Sequence, residues 1–150
     1  MTTTTKILNV VYSVIVFFFL LDSVTNIDIK SQVLKSFVYF GLLIGTPLAL
    51  IWNALAIKTK KTKIIWTMFP IIILTMILTV GPLDFLLSIS AWRTQIVLYQ
   101  NGHFGCRTVE FQMQDVGAFG YNRRTVEVFY LTPLFVFTTE VPNDIDKKIE

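Results

Sequence analysis

The sequence predicts an α+β membrane protein in which three transmembrane helices are followed by a small four-stranded antiparallel β module. Of its 150 residues, 53% are apolar and 15% are charged, a composition too apolar for an ordinary soluble domain. Long apolar blocks extend as far as Trp92, whereas apolar and polar residues alternate from Arg93 onward. This change separates a helical region, 1–92, from a β module, 93–142, and a charged tail, 143–150.

The apolar blocks have lengths suited to membrane crossing, since a bilayer core of about 30 Å takes about 20 helical residues. We place helices at about 4–22, 34–57 and 64–81, and then an interfacial segment at 83–91. The first block, 7–21, reaches spanning length only if the preceding threonines join it and Lys6 snorkels to the headgroups. A cleaved signal peptide is the alternative for this block, although Leu21-Asp22-Ser23 does not fit a cleavage site.

A cluster of lysines between the second and third blocks predicts the orientation of the chain. The loop between the first two blocks, 22–33, carries only Lys30, balanced by two aspartates. Positively charged loops stay on the cytoplasmic side, so we expect a multi-pass protein of a bacterial cytoplasmic (inner) membrane with a cytoplasmic N-terminus. The β module is then periplasmic or extracellular. Membrane topology accounts for the basic net charge, so nucleic acid is not an expected partner. The cluster consists of Lys58, Lys60, Lys61 and Lys63.

One face of the second helix carries small residues. Gly41, Gly45 and Ala49 recur every four residues, and Asn53 continues the row. Helices in membranes associate through close backbone approach, which small side chains permit. We therefore expect this face to pack against the first or third helix, with dimerisation as the alternative.

The β module begins with a hairpin, because Asn101-Gly102 is a strong signal for a two-residue turn. In the strand that follows, 104–114, residues 109, 111 and 113 are apolar and residues 110, 112 and 114 are polar, which predicts one apolar face and one wet face. The residues 117–122 are expected to form a loop, and strands are expected at 125–131 and 134–139. Four strands form a marginal core. The module should therefore rest on the bilayer, on the 22–33 loop or on another protein.

Three residues of the module invite a catalytic interpretation. His103, Cys106 and Glu110 could supply a base, a nucleophile and an acid. On an extended strand, however, Cys106 and Glu110 share a face that His103 does not. Two candidate metal ligands are also too few for a tetrahedral zinc site. We therefore expect no enzyme and no cofactor.

Two further groups of polar residues are candidate sites. The first is a set of basic and aromatic residues that could contact an anion or a partner, because the arginine fork matches carboxylates and phosphates; the alternative is solvated arginines paired with Glu127 or Glu110. The second is Asp84, either an interfacial carboxylate or an ion or proton site. The first set consists of Arg107, Tyr121, Arg123 and Arg124.

These observations favour a binding role. We expect the bilayer as one partner and a protein or a second copy of the chain as the other, with the chain acting as an accessory subunit of an envelope complex or as an immunity-type protein. A transport or pore component working as an oligomer is the alternative, based on Asp84, Asn53 and the prolines at 47, 70 and 82. An envelope enzyme that uses His103 or Cys106 is the third possibility.

Overall fold

The computed structural model describes residues 2–100 and 107–141. The predicted turn at Asn101-Gly102, both His103 and Cys106, and the charged tail lie outside the described residues. The chain forms two compact units. Among the described residues, a helical unit comprises 2–20 and 36–86, and a sheet unit comprises 21–35, 87–100 and 107–141.

Of the four α-helices in the described residues, three are long and apolar enough to cross a membrane, the number that the sequence predicts. The third begins four residues earlier than predicted, so three of the four clustered lysines lie in its first turn and not in a loop. The helices are α1, Thr3–Val24; α2, Gln32–Ala56; α3, Lys60–Val80; and the short α4, Pro82–Leu87.

The small-residue face of α2 packs closely against α1. The buried residues of α1 are spaced alternately four and three apart, so they lie on one face of the helix. A Cβ atom added at Gly41 would lie 3.2 Å from Cδ1 of Ile15, and one added at Gly45 would lie 3.5 Å from the ring of Tyr12. The α1–α2 contact therefore uses the close approach that glycine allows. The buried residues of α1 are Thr5, Asn9, Tyr12, Val16 and Phe19.

Polar side chains fix the alignment of these two helices. Asn9 and Asn53 exchange two amide hydrogen bonds, of 3.0 and 3.1 Å, and Asn53 also donates to the carbonyl of Trp66 in α3 at 3.0 Å. The hydroxyls of Tyr12 and Thr46 lie 3.0 Å apart. An unsatisfied polar group in hydrocarbon costs several kcal/mol, so these pairs favour a single alignment of the helices.

Within the described residues the sheet has five strands, and the prediction of four was wrong. Its order is β1-β5-β4-β3-β2, with every neighbouring pair antiparallel. The additional strand, β1, comes from the segment 22–33 and pairs with β5 along one edge. Three residues between two helices are too short to show an alternating pattern. The strands are β1, Ile27–Ile29; β2, Arg93–Gln100; β3, Arg107–Asp115; β4, Tyr121–Tyr130; and β5, Phe135–Glu140.

Two local features differ from the expected pattern. Within the predicted loop 117–122, only Gly117–Phe119 forms a 3₁₀ turn, and β4 already begins at Tyr121. The edge strand β2 has register irregularities between Thr94 and Ile96 and between Val97 and Tyr99. Such bulges bend an edge strand and oppose the addition of a further strand.

Candidate functional site on the β-sheet

The strand register assigns residues to two faces, because residues directly opposite in an antiparallel pair point the same way. Glu110 lies opposite Val126, and Gln112 lies opposite Arg124. These residues belong to what we call the network face. Val109 lies opposite Glu127 on the other side of the sheet, which we call the exposed face.

The polar face of β3 is buried, so the prediction that it would be wet was wrong. Glu110 is 1% exposed and Gln112 is 3% exposed, whereas the apolar residues that alternate with them are half-buried. The segment that precedes β2 contacts this face: Gln114 donates to the carbonyl of Ser90 at 2.7 Å, and Arg124 stacks 4.1 Å from the ring centroid of Trp92. Burial here depends on a neighbouring segment and not on the alternation itself.

Glu110 is the centre of a buried hydrogen-bond network. Its Oε2 atom accepts from Thr94 at 2.5 Å and from Gln112 at 3.0 Å. Its Oε1 atom accepts from Tyr130 at 2.5 Å and from Thr108 at 2.8 Å. Burial raises the pKa of Glu110, but the four hydrogen bonds together lower it by more than burial raises it. The pKa of Glu110 therefore lies below its ordinary value. The side chain is therefore a carboxylate at neutral pH.

Two cations reach this carboxylate through neutral side chains. Lys30 donates to the hydroxyl of Tyr130 at 2.7 Å, and that hydroxyl donates to Glu110. Arg124 donates two hydrogen bonds, of 2.9 and 3.1 Å, to the amide oxygen of Gln112, whose nitrogen donates to Glu110. The network thus joins residues that lie up to 100 positions apart in sequence.

Arg124 is fully engaged within the sheet unit. Besides Gln112 and Trp92, it forms an ion pair with Asp28 of β1, which also accepts from Thr138 at 3.2 Å. A cavity beside these residues has a volume of about 10 Å³, room for about one water molecule. The network face is therefore a structural element that ties β1 to β4, and it leaves no space there for a larger ligand.

The structure does not bring the predicted basic and aromatic residues into one site. Arg107 forms a bidentate pair with Glu127 on the exposed face, and the hydrogen bonds from Arg107 lower the pKa of Glu127. Arg123 lies opposite Met113, six positions along β3 from Arg107, which corresponds to about 20 Å. Tyr121 is near Arg123 on the same face, whereas Arg124 lies on the network face.

The exposed face carries large apolar side chains that are exposed on both sides of the Arg107–Glu127 pair. Ile96 is 57% exposed and lies opposite Phe111, and Tyr99 is 64% exposed and lies opposite Val109. Phe129 of β4 and Phe137 of β5 lie directly opposite each other, 44% and 41% exposed. Alternation indicates which residues share a face, but it does not indicate which face is covered. We call the set Ile96, Tyr99, Val109, Phe111, Phe129 and Phe137 the apolar surface.

The other candidates are dispersed. Asp84 is exposed in the first turn of α4, while Asn53 is buried between helices. Of the three residues considered for catalysis, only Glu110 is described, and its carboxylate accepts four hydrogen bonds. Comparison with protein-family models, with curated proteins and with solved structures finds no match. The function of the chain is therefore inferred from its geometry.

Proposed function

We propose that this chain is a multi-pass membrane protein that binds another protein through the exposed face of its sheet. It acts as an accessory subunit of an envelope complex or as an immunity-type protein. The observation that carries the proposal is the apolar surface, in which Tyr99, Phe129 and Phe137 are each more than 40% exposed. Groups of large exposed apolar side chains mark interaction sites in proteins.

The composition of the exposed face supports this role. Aromatic residues and arginine are enriched where protein interfaces bind most strongly. The Arg107–Glu127 pair lies among the apolar residues, since Arg107 is opposite Phe129 and Glu127 is opposite Val109. The partner is therefore a protein with an apolar contact surface that also carries polar groups for this ion pair.

The proposed orientation places the N-terminus in the cytoplasm and the sheet outside it. β1 lies between α1 and α2, whereas the strand it pairs with follows α3. Paired strands lie on one side of a membrane, and two crossings by α2 and α3 satisfy this requirement. The lysine cluster lies where α2 ends and α3 begins, across the membrane from the strands. It supports the cytoplasmic assignment of its own side.

Cysteine labelling tests the orientation. In a Cys106→Ser background, single cysteines replace Thr139 on β5 or Lys61 in the first turn of α3, both exposed positions. A membrane-impermeant maleimide is expected to label Thr139→Cys in spheroplasts and Lys61→Cys only after lysis, because the bilayer separates the reagent from the lysine cluster. Labelling in the reverse order would place the sheet in the cytoplasm.

Site-specific photo-crosslinking in living cells tests the binding role. A photoreactive residue at Phe129 is expected to give one discrete protein adduct, which mass spectrometry can identify. The same residue at Val128, fully buried on the network face, is the matched control and is expected to give no adduct. Equal adducts from both positions would contradict the proposal, and so would adducts with lipid alone, which would indicate a sheet that lies on the bilayer.

A transport or pore component is the second candidate. The observation in its favour is the row of buried polar residues in the helical unit, which includes Asn9, Thr46 and Asn53. These side chains hydrogen-bond to one another or to backbone carbonyls, as packing residues do. Asp84 is not part of this row, and a path for ions would require several copies of the chain. The binding role therefore has the stronger support.

A further inference from the structure

An apolar groove of about 520 Å³ lies between α1 and α3. α1 contributes Ser13, and the hydroxyl of this residue donates to the carbonyl of Asn9 at 2.8 Å, so it presents no unsatisfied polar group to the groove. α3 contributes the remaining lining residues, which are large and apolar. They are Ile65, Trp66, Met68, Phe69 and Ile72.

A lysine continues the groove toward the N-terminal end of α3. Lys61, Ile65, Met68 and Ile72 are spaced four, three and four residues apart, and this spacing places them on one face of the helix. Lys60 is one residue away from Lys61 and points about 100° around the helix from it. Lys60 therefore shares a different face with Ile64 and Thr67. Lys61 is therefore the lysine of the cluster that is aligned with the groove.

The length of this face matches one leaflet of a bilayer. Ile72 lies eleven positions after Lys61, which corresponds to a helical rise of about 16 Å. Half of a hydrocarbon core of about 30 Å is about 15 Å. The groove thus extends from the headgroup level, marked by the lysines, to about the middle of the membrane.

The charge at the mouth of the groove lacks a counterion on its own helix. The first turn of α3 contains no acidic residue. Within residues 2–100 and 107–141, no carboxylate forms an ion pair with Lys58, Lys60, Lys61 or Lys63. Clusters of lysines beside membrane helices attract anionic lipid headgroups.

We propose that this groove binds an anionic phospholipid. One acyl chain lies along Ile65, Met68 and Ile72, and the phosphate contacts Lys61. The charge at the mouth selects an anionic headgroup over a zwitterionic one, and the groove holds one chain in a fixed place. This site is in the helical unit and does not depend on what the sheet binds.

Quenching by brominated lipids tests the proposal, because Trp66 lines the groove. The full-length protein carries Trp52→Phe and Trp92→Phe, so that Trp66 is its only tryptophan. It is reconstituted in phosphatidylcholine vesicles that contain increasing fractions of phosphatidylglycerol or phosphatidylcholine with the same brominated chains. We expect half-maximal quenching at a mole fraction of phosphatidylglycerol at least about fivefold lower than that of phosphatidylcholine.

Variants with the same change in charge separate the groove from the general surface potential. Lys61→Gln is expected to remove most of this preference, and Lys60→Gln to retain most of it. Ser13→Leu fills the groove from α1 and is expected to reduce quenching without altering any lysine. Equal quenching by the two lipids would overturn the proposal, as would equal effects of the two lysine variants or undiminished quenching in Ser13→Leu.

Discussion

Replacing Glu110 with glutamine is expected to destabilise the sheet by about 3 kcal/mol, because donors that now face a carboxylate oxygen would face an amide nitrogen. Oε1 and Oε2 of Glu110 each accept two hydrogen bonds. An amide nitrogen accepts none, so either orientation of the glutamine takes the present acceptor away from two of the four donors. The substitution also removes the anion that Lys30 and Arg124 approach through Tyr130 and Gln112.

Urea unfolding of the full-length protein in nanodiscs measures this effect. In a Trp52→Phe, Trp66→Phe background, Trp92, which stacks against Arg124, is the only tryptophan and reports on the sheet. Glu127→Gln is the matched control, because it removes the same charge from an ion pair on the exposed face, where such pairs contribute little. Equal unfolding midpoints for the wild type and Glu110→Gln would show that the buried network does not stabilise the sheet.

The acid dependence of stability follows from the lowered pKa of Glu110. A carboxyl group whose folded pKa lies below its unfolded value, about 4.3 for glutamate, contributes its full stabilisation above that unfolded value. The contribution is lost as the pH falls through the lower, folded pKa. The wild type should therefore lose more stability than Glu110→Gln below about pH 4, with the midpoint of urea unfolding measured at each pH.

The three long apolar helices could be predicted because their signal is local. A block of apolar residues long enough to cross a bilayer satisfies its own backbone hydrogen bonds as a helix, whatever its neighbours are. The packing face that contains Gly41, Gly45 and Asn53 was likewise predicted from the spacing of its residues. In the structure, Gly41 lies close to Ile15 of α1 and Gly45 lies close to Tyr12 of α1. The choice of α1 rather than α3 as the neighbour of the glycines depended on tertiary packing.

The sheet was harder to predict, because its decisive contacts are remote in sequence. β1 is three residues long, and its Asp28 pairs with Arg124, 96 positions away. Nothing near Glu110 in the sequence shows that Tyr130 and Lys30 complete its surroundings. The opposite faces of Arg123 and Arg124, in contrast, follow from the two-residue period of any strand, so their grouping as one site was avoidable.

Replacing Phe129 with aspartate is expected to weaken binding of the partner about 30-fold or more, the effect of losing a strongly contributing interface residue. Phe129 lies on a central strand, opposite Phe137, within the apolar surface. A carboxylate there would have to be buried without a partner when the complex forms. In the free protein this position is 44% exposed, so the charge stays in contact with water and the sheet remains folded.

The most direct test of the binding role is the amount of the crosslinked partner that co-purifies with each variant from solubilised membranes. Thr132→Asp is the control, because it adds the same charge in the exposed turn between β4 and β5, where the side chain already accepts hydrogen bonds from Leu134 and Phe135. The proposal predicts that Phe129→Asp loses the partner while Thr132→Asp retains it at the wild-type level. Full retention of the partner by Phe129→Asp, or equal loss by both variants, would contradict it.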